Sequence, residues 1–375
     1  MGGLWSACSS DLSDNIGFVT RLGNDTLAVE TFTEKPYGFE AIVVLRSPKT
    51  EVNRYEIAFA DDGGIAEMMG LRLEDGSLSD GTYQRVFSAS KMEDSLKVTQ
   101  LLNDGTEREF IVAYEEGVLP FIDMVHWPYE LALRKASKSE ADTIHQNMLS
   151  GRSISDFIIA DVGGNQKTIR HPYRGVMEVS VDDKGHLITL DAAQTTRKLI
   201  VTRAEDIPIQ EIATRFKALD EAGNSFGGLS GAVEETFSFK GALFEVSYGS
   251  PSKRGRELFG GIVPYGERWR TGANRATHFS TSDDLMVGDL KVPAGEYTLF
   301  TIPEEDGGTL IINKQTGQNG RSYDELQDLG RVDMLVAEQD ILTEDFTITV
   351  TENEEGLSLN LIWGNTKYYV PIKIL

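Results

Sequence analysis

The chain has 375 residues with 59 Asp+Glu against 36 Lys+Arg, a formal charge of −23, and 40% hydrophobic residues. That length predicts two domains and that apolar fraction excludes wholesale disorder, while the negative charge excludes a nucleic-acid partner, which needs a basic surface. One cysteine excludes a disulfide scaffold and a cysteine-based zinc cluster. Five histidines, none in an H-x-x-x-H pair, and no Asp-x-Asp-x-Asp-Gly loop give no reason to expect a metal or other cofactor. No run approaches the ~18–20 apolar residues of a transmembrane helix.

Residues 1–14 read as a truncated signal remnant or a flexible tether. Leu4-Trp5-Ser6-Ala7-Cys8 resembles the end of a bacterial lipoprotein signal, in which small residues precede a cysteine that becomes lipidated. On that reading Cys8 is a membrane tether and the protein is periplasmic or attached to the outer membrane. The plain alternative is an incidental thiol in a polar leader.

Residues 15–204 alternate with period two between closely spaced turns. Thr26–Phe32, Phe39–Leu45, Asn53–Phe59 and Leu96–Leu102 predict strands of an antiparallel meander, and Asn103-Asp104-Gly105 predicts a hairpin turn. Phe121 to Lys138 breaks the pattern: Val125, Tyr129, Leu131, Ala132 and Ala136 recur at helical spacing, with Pro128 suited to a first turn. Strands resume from Ser155 to Thr202. The expectation is a curved antiparallel half-barrel clasping one helix, an architecture similar to periplasmic lipoprotein-carrier folds.

Residues 205–234 are predicted as an amphipathic helix over Ile207–Leu219 followed by a glycine-rich linker, Gly223 to Gly231. Residues 235–375 are again β-rich with about nine strand candidates, which suits an antiparallel β-sandwich or jelly roll. The whole chain is therefore expected to be mainly β.

Three sets of residues invite chemical readings and carry bland ones. Gly223-Asn224-Ser225-Phe226-Gly227 matches G-x-S-x-G, yet a nucleophile elbow needs a strand before the serine, and here a helix precedes it. His126 suits capping or packing at the helix start, and His186, in a hairpin turn, is expected to be solvated. The acidic pairs, such as Asp61/Asp62 and Asp182/Asp183, mostly flank glycine in turns, where carboxylates are simply the solvated choice.

Lys253 to Arg275 differs from the rest of the chain. Six cations (Lys253, Arg254, Arg256, Arg268, Arg270, Arg275) face Glu257 and Glu267, a net +4 that leaves −27 for the other residues. A local positive patch attracts anions, arginine grips carboxylate or phosphate through two parallel hydrogen bonds, and Trp269 beside it suits a flat or sugar-like ligand. The candidate ligand-binding residues are Arg254, Arg256, Tyr265, Trp269, Arg270, Asn274, Arg275, Thr277 and His278. In a strand beginning at Arg275, the residues Arg275, Thr277 and Phe279 share one face, while Ala276, His278 and Ser280 share the other. The bland alternative is an internal salt-bridge hub with Trp269 in the core.

The same region carries a family resemblance. Ser250 to Gly261, Val263-Pro264-Tyr265-Gly266, Trp269 to Asn274, Pro293 to Pro303 and Asn313-Lys314 together resemble the bacterial family known as domain of unknown function 2911, over about residues 237–350. Gly308 and Asn319 stand where members often carry Trp. The resemblance implies a bacterial envelope protein and transfers no activity. Two functions are expected from the residues: binding of a small anionic or carbohydrate-like ligand in the C-terminal domain, or hydrolysis of an ester, phosphate or glycoside by acid/base groups there. A third is lipid carriage by the N-terminal half-barrel.

Overall fold

The computed structural model describes residues 16–102, 104–354 and 356–375. The expectations placed on Cys8, Asn103 and Glu355 lie outside the described residues. The chain divides into two compact units, Met1–Gly227 and Gly228–Leu375. Both are mainly β.

Among the described residues the first unit holds fifteen strands: β1 (Gly17–Leu22), β2 (Asp25–Lys35), β3 (Gly38–Leu45), β4 (Glu51–Phe59), β5 (Ile65–Asp75), β6 (Thr82–Met92), β7 (Ser95–Leu101), β8 (Glu107–Ala113), β9 (Leu119–Pro120), β10 (Thr143–Ser150), β11 (Ser153–Gly163), β12 (Gln166–His171), β13 (Gly175–Val181), β14 (Leu187–Asp191) and β15 (Ile200–Ala204). They form one sheet in the order β8 to β1, then β15 back to β9. Every neighbouring pair is antiparallel except β9 with β10. The meander thus runs outward from β1, and the returning chain closes on β1 through β15. Leu149 and Ile154 from one end of this sheet share a core with Val98, Phe110 and Val112 from the other, so the sheet curls until its ends approach one side-chain cluster.

Helix α1 (Trp127–Ala136) supplies the centre of that cluster. Trp127 is fully buried, with its ring 5.3 Å from Phe39 and 6.0 Å from Tyr55. Two buried carboxylates fix the helix. Glu30, on β2, accepts hydrogen bonds from the backbone N–H groups of His126 (2.8 Å) and Trp127 (3.0 Å), satisfying two of the donors a helix leaves open at its positive end. Glu130 accepts from His186 Nδ1 (2.6 Å), the Leu187 N–H (2.8 Å) and Arg203 (3.2 Å). His126 is thus the capping-position residue that its sequence context suggests. His186 is not solvated: the turn after Asp182 folds its ring back onto Glu130, where it is half-buried. The cavity beside α1 measures about 30 Å³ and is lined by residues including Tyr129, His126 and Arg174.

Helix α2 (Ile209–Glu221) belongs to this unit rather than to a free linker, because Ile209, Ala213 and Phe216 bury against Val29, Val44 and Val52. Gly223 to Gly227 form its C-terminal turn: the Asn224 N–H reaches the Leu219 carbonyl, and Phe226 is buried. The G-x-S-x-G match therefore ends a helix and makes no strand-to-helix elbow.

The second unit contains β16 (Ser230–Phe239), β17 (Ala242–Pro251), β18 (Thr277–Thr281), β19 (Leu285–Val287), β20 (Leu290–Val292), β21 (Gly295–Glu304), β22 (Gly307–Asn313), β23 (Asp328–Asn353) and β24 (Gly356–Ile374). Their order is β16-β17-β18-β21-β22-β23-β24-β19-β20. The 26-residue β23 pairs with β22 up to Met334 and with β24 from Leu335 onward, so one strand serves both layers of the sandwich. Alternate residues of both layers meet between them: Phe244, Val246, Tyr248, Leu299 and Ile312 face Phe346, Ile348, Leu361 and Trp363.

Removing the Glu30 cap leaves two helix N–H groups buried without an acceptor. Glu30→Ala is expected to destabilise the protein by about 3 kcal/mol, read as a lower urea midpoint at unchanged m-value. An unaltered midpoint would show that α1 is held without this carboxylate.

Candidate functional site

The positive segment runs between β17 and β18, and its two halves do different work. The first half is a turn fastened to β23. The Lys253 N–H donates to the Glu344 carbonyl (2.8 Å), the Arg254 N–H to Glu344 Oε1 (2.6 Å) and Ser252 Oγ to Asp345 Oδ1 (2.5 Å). Arg256 donates to the carbonyls of Ser252 (2.6 Å) and Lys253 (3.0 Å), bracing its own turn. Leu258, Phe259 and Val263 then plug the end of the sandwich. Tyr265 is 41% exposed and lies over Gly260, where a Cβ would fall 2.8 Å from its ring; Gly260 also has φ of +85°.

Trp269 is half-buried and packs against the core. Its ring lies parallel to Trp363 at 6.0 Å and meets Phe346 at 4.9 Å, edge to face. The backbone of Trp269 exchanges both hydrogen bonds with Thr301 (2.7 and 2.9 Å), adding a short extra strand beside β21. With Trp269 turned inward, its neighbours turn outward. The Arg268 guanidinium sits 3.8 Å from the ring centroid of Tyr323, and Arg270 lies under Gly320, where a Cβ would fall 3.0 Å from Arg270 Cδ. Thr277 is buried and donates to the Thr271 carbonyl (2.7 Å), a bond that shapes the entry to β18. Asn274 takes a positive φ of +65° and is exposed, while exposed Arg275 reaches Glu234 at 3.8 Å. The nine predicted residues thus separate into a braced turn, a core plug and an outward group.

The outward group belongs to a polar face that spans the sheet. The strand registers align Glu234, Ser247, His278, Thr298, Asn313 and Asp328 in one row, and Thr236, Glu245, Ser280 and Glu296 in the next. A cleft of about 540 Å³ lies on this face, floored by Ser247, His278, Ser280 and the carboxylates of Glu234, Glu245 and Glu296, and walled by Thr316 and Gly317. The segment from Lys314 to Tyr323 covers the rest of the row, which is why Thr298 and Asn313 are fully buried although they point away from the core.

The hydroxyl of Thr298 is one anchor of the cover, beside Asn313, whose Oδ1 accepts from the Gln315 N–H (2.9 Å) and whose Nδ2 donates to the Asp324 carbonyl (2.8 Å). The hydroxyl donates to the Gln315 carbonyl (2.7 Å) and accepts from Gln318 Nε2 (3.0 Å). A hydroxyl has one proton, and a carbonyl can only accept. The 3.1 Å contact between Thr298 Oγ1 and His278 Nδ1 therefore needs the proton on the imidazole. His278 is fixed as its Nδ1–H tautomer, leaving Nε2 as a hydrogen-bond acceptor. Burial, opposed by Glu296 and by a hydrogen bond to the Tyr297 backbone and reinforced by the positive charge of Arg275, pushes its pKa below the usual 6.5, which favours the neutral ring at pH 7. Glu234, Glu296, Thr298, Gln315, Thr316, Gln318 and Arg321 were missed by sequence reasoning. One signal was available: Tyr297 to Ile302 does not alternate polar with apolar, as expected of a strand covered on both faces.

The chain is thus two mainly-β units, the second a sandwich whose outer sheet face bears a covered polar row and an open cleft. The profile of the family described as protein of unknown function (DUF2911) matches residues 230–372, the body of this second unit. Gly308 and Asn319, the two positions set apart in the sequence, are both fixed by the local backbone. Gly308 has φ of +154° and a Cβ there would fall 2.5 Å from the Ile302 carbonyl oxygen, while Asn319 Oδ1 accepts from the N–H groups of Arg321 (2.9 Å) and Ser322 (3.1 Å). No curated protein matches the chain. Among solved structures, it is similar to a DUF1089-family protein from Pseudomonas aeruginosa at 10% identity and a TM-score of 0.32, covering 50% of this chain and 95% of that one. It is likewise similar to a β-barrel-like protein of domain of unknown function DUF1849 from Brucella abortus at 9% identity and a TM-score of 0.32, covering 52% and 96%. Among the described residues no helix is long and apolar enough to cross a membrane, and no three His, Cys, Asp or Glu side chains converge as a metal site.

Nitrogen-15 NMR of the imidazoles tests the tautomer. His278 is expected to show protonated Nδ1 at neutral pH and to titrate below 6.5, and Thr298→Val should release the tautomer and raise the exchange rate of the covering segment's amides. A His278 that carries its proton on Nε2 would refute the assignment.

Proposed function

We propose that the C-terminal unit is a binding domain for a small, hydroxyl-rich, carbohydrate-like ligand, seated in the cleft over His278. The observation that carries this reading is the acceptor-only Nε2 of a neutral imidazole on the floor of a cleft whose other polar groups are carboxylates and hydroxyls. Carboxylates and Nε2 accept from sugar hydroxyls, and Ser247, Ser280 and Thr316 can both donate and accept. The envelope location suggested by the sequence around Cys8 is part of the same proposal. A neutral histidine beside carboxylates is also what a general base requires, which keeps hydrolysis of a glycoside or ester as the second reading.

Titration calorimetry against a panel of neutral mono- and disaccharides tests the proposal, with a chromogenic glycoside and ester panel run alongside. At least one sugar is expected to bind, and His278→Ala and Glu296→Gln should each weaken it by about tenfold, equivalent to ~1.4 kcal/mol. Affinity should fall as pH drops through the His278 pKa, since protonation turns Nε2 from acceptor into donor. If no sugar binds at tens of millimolar, or the variants bind as wild type does, the cleft is not a sugar site. Turnover abolished by His278→Ala would replace binding with hydrolysis.

A further inference from the structure

We infer that Arg270 and Arg321 form a recognition site for a dianionic oxyanion, the terminal group of a phosphate monoester, on the same outer face but apart from the His278 cleft. The inference goes beyond the sugar-binding proposal and does not depend on it.

The two arginines are brought together by the covering segment. Gly320 is buried against the Arg275 carbonyl, where a Cβ would fall 2.6 Å from the oxygen, and against the Arg270 side chain; Arg321 follows directly. Gly320 thereby places the positive charge of Arg321 in the neighbourhood of Arg270. Burial and Arg321 both disfavour the charged form of Arg270. Among the described residues neither guanidinium has a hydrogen-bond or ion-pair partner, whereas Arg275 reaches Glu234, and Arg331 reaches Glu325 and Asp328. In a chain with 59 carboxylates, a half-buried arginine packed beneath the residue that precedes a second arginine, neither of them with an acid partner among the described residues, is left without a counter-ion. Arg268, held over the Tyr323 ring, adds a third positive charge on the segment's other flank.

Charge balance selects the ligand class. Two guanidinium groups without acid partners match a group carrying two negative charges, and each can offer paired N–H donors to its oxygens. A phosphate monoester is dianionic above its second pKa of about 6, whereas a carboxylate supplies one charge. The positive field of this corner stands out against an otherwise acidic molecule and steers such a ligand to it.

Calorimetry of the full chain at low salt, with methyl phosphate, sulfate and acetate as probes, tests the inference. At pH 7.5 methyl phosphate and sulfate are expected to bind, and acetate at least tenfold more weakly. Arg270→Gln and Arg321→Gln should each lower methyl phosphate affinity by tenfold or more. Lowering the pH to 5 should weaken methyl phosphate, which becomes a monoanion, and leave sulfate unchanged. Arg321 is exposed, so its variant keeps the fold, and thermal melting of Arg270→Gln without ligand should show an unchanged or higher midpoint, because a half-buried charge without an acid partner is removed. Wild-type affinity in both variants, equal binding of acetate, or a lower midpoint in Arg270→Gln with no change in phosphate affinity would each overturn the assignment.

Discussion

A single proton on Thr298 organises the outer face of the C-terminal unit. Because that proton goes to the Gln315 carbonyl, the segment from Lys314 to Tyr323 is drawn down over the sheet, and His278 must present Nδ1–H to the same oxygen. One hydroxyl thereby closes one part of the face, leaves an acceptor in the open part, and delivers Gly320 and Arg321 to Arg270. A buried hydroxyl with three partners is inflexible: changing any one of them changes what the other two can do.

Much of the fold was legible because it follows from local rules. The helical spacing within 121–138 corresponds to Trp127–Ala136, and the period-two reading matches the burial of Thr277 and Phe279 against His278 and Ser280 but not of Arg275 and Ala276, which precede the strand, Arg275 being exposed and Ala276 buried. The site was only partly legible, since charge counts along the chain say nothing about direction. Arg256 and Arg270 lie in the same positive segment, yet one braces a turn and the other points out beneath a distant glycine. Trp269 could not be assigned from its neighbours because its stacking partner, Trp363, lies almost a hundred residues away. The polar row shared by Glu234, His278 and Asp328 exists only through strand registers, which no local pattern encodes.

The N-terminal unit solves a different problem with related means. A helix inside a curled sheet buries its own polar ends, and Glu30 and Glu130 answer that cost with bonds from the backbone and from cationic or imidazole groups. His186 shows how a turn residue escapes a reading based on turn chemistry alone, as the turn's curvature aims its ring at the helix rather than at solvent.

The long strand Asp328–Asn353 has one further consequence. Between Glu338 and Thr347 its pairing with β24 is interrupted except at Thr343, and Ile341 and Leu342 stand exposed there. The strand pairs with β24 on both sides of this gap. Glu344 and Asp345 hold the turn at Ser252–Arg254, so it is at the exposed Ile341 and Leu342 that chain length can change without disturbing a ladder pair, which makes them the place for a reporter or a fused module to be spliced in.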